Sequence, residues 1–150
     1  MVKYYDMTSI TNQVKDMAKL ELESIMSSNN YIYDTDDFEN KFKQFTGANY
    51  CVGVSSGTAA LHLALKAIGI KPGDKVATVS HTFRATAAAI KYVGAEPVYV
   101  DIEQLSYCMD SDELENTLKN NSNIKAVIVV HLYGCLLYTS DAADEEVRVD

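Results

Sequence analysis

The chain has 150 residues, of which 47% are hydrophobic and 23% charged, with 13 Lys plus Arg against 21 Asp plus Glu and a formal net charge of -8. This composition excludes a disordered or collagenous chain and leaves enough apolar material for a sizeable core. It also argues against nucleic-acid binding, since no basic stripe offsets the acidic balance, and against a membrane span, since the most apolar window, Cys51 to Ile70, carries Lys66, His62, two serines and a threonine.

MVKYYDMTSI at the N-terminus has no apolar signal core, so a cytosolic protein is expected. Cys51, Cys108 and Cys135 are odd in number and widely spaced, which fits neither a disulfide framework nor a zinc site. They read as reduced thiols, with Cys51 a small hydrophobe inside a buried strand.

From Thr11 to Ser28 the residues Val14, Met17, Ala18, Leu20, Leu22, Ile25 and Met26 recur at helical spacing among Lys and Glu, which predicts an amphipathic helix. A second helix is predicted in TDDFENKFKQFTG. Thr35 is its N-cap, Phe38, Phe42 and Phe45 share a face that should pack on a larger body, and Gly47 ends it.

After Gly47 short β-branched runs alternate with helical ones. Strands are predicted at Tyr50 to Val54, Lys75 to Val79, Pro97 to Asp101 and Ile124 to Val130. Helices are predicted at Gly57 to Gly69, in TFRATAAAIKYVG and in DSDELENTLK, the last with Asp110 as N-cap and Glu113 completing a capping box. KPGD, Lys71 to Asp74, is a turn. Four strands separated by three helices imply an α/β fold with a mostly parallel sheet and helices on both faces. Ligands of such sheets bind beyond the carboxyl ends of the strands.

The α/β pattern stops at Gly134. Cys135 to Asp150 has no periodicity and carries five acids against Arg148, half of the chain's net charge. CLLYTSDAADE, Cys135 to Glu145, looks like the translated reading frame of a transposon-end sequencing adapter, so the tail is expected to be a read-through scar outside the fold.

Two turns carry candidate chemistry. In VSSGTAAL a strand runs through Ser55, Ser56 and Gly57 into a helix beginning near Thr58. Helix N-terminal N–H groups, hydroxyl donors and a glycine that admits close approach make a phosphate cradle without a lysine; an N-cap at a tight turn is the plain alternative. Gly53 and Gly57 do not make G-x-G-x-x-G, and no G-K-[ST] follows. In SHTFRAT, His81 and Phe83 place rings near the same crevice, where a planar cofactor could stack; alternatively Phe83 is core and His81 a surface cap. His131 lies at the end of the fourth strand, where a structural role competes with a place in the crevice. His62, inside a helix, is assigned no role. No metal site is read.

Taken together, FENKF, YCVGVSSGTAALHLALKAIGIKPGDKV, SHTFRATAAAI, GAEPVYVDIE and VVHLYG resemble, in this order and spacing, the DegT-type family of sugar aminotransferases. These are pyridoxal 5'-phosphate (PLP) enzymes of the aspartate-aminotransferase-like fold, fold type I. The resemblance runs from about Asp6 to Gly134. It implies an N-terminal helical segment, 1–46, the first part of the PLP-binding large domain, 47–134, and a non-native tail, 135–150. By residue it implies that Gly57 and Thr58 hold the PLP phosphate with Ser56 adjacent, and that Phe83 stacks on the pyridine ring, with His81 a second candidate. The helix from Thr11 and the NYIYDTDDFE segment would lie near a dimer interface.

The chain departs from the family pattern at Asp34 and Thr35, where a Gly-Pro is common, and at Ala88, where many members have Asn. The SHT…ATAAAI form is closer to branches acting at C3 of 6-deoxy keto-sugars. The family's acidic partner of the pyridine nitrogen and its cofactor-bound lysine would fall beyond Gly134. Transamination needs both. None of the eleven lysines sits in a matching motif, and Lys66, Lys75 and Lys91 read as solvated.

The implied parent is a cytoplasmic homodimer that transfers an amino group, from glutamate, to a nucleotide-linked keto-sugar in cell-surface polysaccharide biosynthesis, while this chain alone is expected to be inactive. A PLP-dependent keto-sugar dehydratase of the same family and a non-enzymatic truncated relative remain alternatives. A flavodoxin-like phosphate-loop protein is disfavoured by the helical first fifty residues.

Overall fold

The computed structural model describes residues 7–28 and 35–136, within two compact units, Met1–Gly53 and Val54–Asp150. The first six residues, the YIYD part of the NYIYDTDDFE segment with the two asparagines before it, and the tail from Leu137 onward lie outside the described residues.

In the first unit α1 spans Thr8–Ser28 and α2 spans Asp36–Thr46. The amphipathic stripe of α1 is real but faces solvent, with Val14, Met17 and Leu20 all exposed. Acidic Asp36, Asp37 and Glu39 complement the positive end of the α2 dipole, and Gly47 closes that helix at φ 72°. Thr35 does not cap α2 as expected. Its backbone is already helical, at φ -97° and ψ -5°, so its hydroxyl cannot swing onto the first-turn N–H groups and instead donates to Glu39 Oε1 at 2.8 Å. Phe38, Phe42 and Phe45 do share a face, but they stack on one another, at ring centroid separations of 5.6 and 6.4 Å, and stay exposed.

The strand expected at Tyr50 to Val54 is absent; the segment is irregular. A strand needs a ladder for its N–H groups, and here the Gly53 N–H goes to the Glu39 carboxylate at 2.6 Å. Tyr50 and Val52 are therefore exposed, and Cys51 is half-buried in a loop rather than buried in a sheet.

The second unit is built on a three-stranded parallel sheet, with β1 (Lys75–Val79) between β2 (Glu96–Val100) and β3 (Ile124–Val127). The last strand stops at Val127, three residues short of expectation, although the Ile128 N–H still reaches Ala77 O at 2.8 Å. Helices α3 (Gly57–Ala67) and α4 (Ala85–Tyr92) cover one face, where Leu65, Val76, Ala89 and Ile90 form a core cluster. The other face, Ala77, Val79 and Val100, is covered by Met109 and by Leu114 of α5 (Ser111–Asn120). Alternation along β1 divides its residues between two covered faces, which is why all of Val76 to Val79 are buried.

Helices α3 and α4 end in the same way. Gly69 and Gly94 take φ 84° and 79°, and the N–H of Ile70 and Ala95 reach back to Leu65 O and Ile90 O, so each helix stops in a Schellman motif with its apolar pair in the core. The Lys71 to Asp74 turn follows α3 as expected, held by Asp74 N–H to Lys71 O at 3.0 Å. Asp110 caps α5, accepting from Asp112 and Glu113 N–H at 2.9 and 3.1 Å. The return half of the expected capping box does not form, because the Asp110 N–H donates to Asp101 O instead.

Candidate functional site at the carboxyl end of the sheet

The strand order places the site before any side chain is considered. From β1 the chain crosses through α4 to β2 on one side, then through α5 to β3 on the other. Same-handed crossovers moving in opposite directions put their helices on opposite faces and leave a crevice at the carboxyl ends of β1 and β3, where the order reverses. The Lys71 to Asp74 turn reverses the chain between α3 and β1. The N-terminus of α3 therefore lies at that same end.

Ser56 is extended, at φ -167° and ψ 162°, and caps α3: its Oγ accepts the Ala59 N–H at 3.1 Å and its carbonyl the Ala60 N–H at 3.0 Å. The N–H groups of Gly57 and Thr58 have no hydrogen-bond acceptor among the described residues. A Cβ built on Gly57 meets nothing within 4 Å, and its φ is not in the left-handed region. Neither conformation nor protein packing requires glycine here. The missing side chain clears the approach to two open donors beside a hydroxyl whose proton is free to donate, which is the donor set a phosphate group needs.

At the end of β1, Phe83 is 71% exposed. It is therefore not part of the core; its ring presents an uncovered face. His81 is exposed too, but its ring packs against Tyr107, centroids 5.9 Å apart and tilted by 42°. Tyr107 carries no sequence signal of a role, because its contact with His81 joins segments that pattern reading treats separately. His131 is exposed at the start of the short 3-10 turn Leu132–Gly134, and half-buried His62 meets the Tyr92 ring edge-on at 6.1 Å, a packing role.

The surrounding charges agree with this placement. A neighbouring cleft of about 320 Å³ is walled by Glu103, Asp110 and Asp112, whose carboxylates would repel an anion. Lys66, Lys91 and Lys119 occupy the last turns of α3, α4 and α5, while Lys71 and Lys75 flank the amino end of β1. They complement the negative helix termini and lie at the opposite end of the sheet from Gly57. Lys75 is half-buried rather than solvated.

A family model described as the DegT/DnrJ/EryC1/StrS aminotransferase family matches residues 12–142. The chain belongs to this family. It is 34% identical, over 89% of its length, to the UDP-2-acetamido-2-deoxy-3-oxo-D-glucuronate aminotransferase of Pseudomonas aeruginosa, and covers 37% of that protein. It is 41% identical, over 84% of its length, to the GDP-perosamine synthase of Escherichia coli O157:H7, and covers 34% of it. The crystal structure of S. venezuelae DesV in complex with a ketimine intermediate superposes on 91% of the chain at a TM-score of 0.83 and 30% identity, the chain covering 37% of it. The fold is thus the fold type I architecture of these enzymes, and the chain spans about a third of the length of the relatives it matches. The family's aminotransferases depend on PLP.

Proposed function

We propose that this chain carries the phosphate- and ring-binding part of a PLP-dependent aminotransferase that passes an amino group, from glutamate, to a nucleotide-linked keto-sugar, working as a cytoplasmic homodimer. Residues 1–46 form its N-terminal helical segment and 47–134 the first part of its large domain. The observation that carries the reading is the open pair of N–H groups at Gly57 and Thr58, beside the Ser56 hydroxyl and a glycine that the fold itself does not require.

In this reading the Gly57 and Thr58 N–H groups and the α3 dipole hold the phosphate dianion, and the Ser56 O–H adds a third donor. The exposed face of Phe83 orients the pyridine ring and shields it from water. PLP would supply an electron sink and carry the amino group between donor and acceptor. None of Lys66, Lys71, Lys75, Lys91 and Lys119 lies at the carboxyl end of the sheet, so the 150-residue chain alone should bind the cofactor without transaminating. The sugar substrate follows from the relatives, whose names specify UDP- and GDP-linked sugars.

The test is a PLP titration of the chain followed by amide NMR, with Gly57→Asp alongside. The open space at Gly57 and the favourable helix-start position let an aspartate fold normally while its charge opposes the phosphate. Gly57 and Thr58 amides should shift in the parent, and Gly57→Asp should weaken binding by about tenfold or more at unchanged thermal stability. Equal binding by both chains, or no shift at saturating PLP, would overturn the reading.

A further inference from the structure

We propose that Tyr107 is a positioning residue of this site: it fixes the His81 ring at the rim of the crevice and so leaves Phe83 as the ring that stacks on the cofactor. The proposal rests on the cofactor reading above.

Three observations carry it. First, Tyr107 has φ 57°, a left-handed conformation that is uncommon for any non-glycine residue and rarer for a bulky one. Glycine or asparagine would occupy that position with less strain, so the tyrosine ring is retained against the backbone preference.

Second, its surroundings hold it there. The excursion after β2 is closed by an Ile102–Met109 antiparallel bridge, by Glu103 N–H to Cys108 O at 2.9 Å and by Tyr107 N–H to Glu103 O at 3.0 Å. Cys108 and Met109 are each 1% exposed, so the residues that follow Tyr107 are pinned in the core. Strained residues that the surrounding structure over-determines in this way concentrate at functional sites.

Third, what the strained residue reaches is His81, at the carboxyl end of β1, two residues before Phe83. Leu105, at the tip of the same excursion, is 90% exposed. Because one side of the His81 ring is already against Tyr107, a second planar partner would have to displace that contact, whereas Phe83 has an open face. The structure therefore separates the two rings: Phe83 binds, and His81 is held by Tyr107 as the neighbouring wall.

The experiment follows the His81 Cε1–H signal by carbon-edited NMR on the 150-residue chain, with His62 and His131 as internal references, and measures PLP affinity on the same samples. Tyr107→Gly removes the ring and relieves the positive φ together, so it should fold; Tyr107→Phe keeps the ring. In Tyr107→Gly the His81 signal should move while His62 and His131 stay, and PLP affinity should fall about two- to tenfold, the range expected for loss of one aromatic contact. Tyr107→Phe should match the parent in both readouts. An unmoved His81 signal in Tyr107→Gly, or the same shift in Leu105→Gly, overturns the proposal even if PLP still perturbs Gly57 and Thr58. If the parent takes up no PLP, the functional reading fails, and the His81 signal alone still decides whether Tyr107 holds that ring.

Discussion

Glu39 and Gly53 are fourteen residues apart, and the Gly53 N–H donates to Glu39 Oε1 at 2.6 Å. The same oxygen accepts the Thr35 hydroxyl at 2.8 Å, so one carboxylate fastens both the start of α2 and the segment that leaves it. A Cβ on Gly53 would lie 3.2 Å from both Glu39 Oε1 and Thr35 Cγ2, which explains the glycine. Glu39→Ala should destabilise the first unit by about 2 kcal/mol, the usual range for losing hydrogen bonds to a charged acceptor, and Glu39→Gln by less, since an amide oxygen still accepts. Urea denaturation of the two variants measures the difference.

The glycines that end α3 and α4 have the same backbone conformation but different neighbours. At Gly69, φ 84°, an added Cβ meets nothing within 4 Å; at Gly94, φ 79°, it lies 2.9 Å from Pro72 Cγ and 3.2 Å from the Pro72 backbone. Gly69→Ala should therefore carry only the left-handed penalty, about 1 kcal/mol, and Gly94→Ala clearly more. Equal shifts in thermal midpoint would show that the Pro72 contact relaxes without strain.

The half-formed cap of α5 makes a contrast within one motif. Asp110→Ala removes the acceptor of two first-turn N–H groups and should destabilise the chain by about 1 kcal/mol. Glu113→Ala should stay within about 0.5 kcal/mol, because the N–H a capping box would use is bonded to Asp101 O. Chemical denaturation of both variants under one condition decides it.

Phe83 separates binding from folding. Phe83→Ala should change stability by no more than about 0.5 kcal/mol, as for an exposed side chain, whereas Ile90→Ala, at a fully buried site, should lose about 2 to 5 kcal/mol. PLP affinity should respond in the opposite order. A Phe83→Ala chain that binds PLP like the parent would remove the ring from the site.

The sequence by itself determined the parts that depend on local pattern. Helical spacing and terminal glycines located α1 to α5; β-branched runs located three strands; and the order of SSGT, SHTF and VHLYG sufficed to point to the family. Tertiary structure decided what depends on partners distant in the chain. Tyr50 to Val54 has the composition of a strand, but a strand exists only with a neighbouring ladder, and the Gly53 N–H found Glu39 instead. Thr35 has the composition of a cap, but its hydroxyl was drawn to the same carboxylate. Phe83 and His81 read alike as rings near a crevice until Tyr107, held in a strained conformation by buried Cys108 and Met109, covered one and left the other open. Periodicity records which residues prefer burial or a given backbone; which donor meets which acceptor is set only when the chain closes on itself.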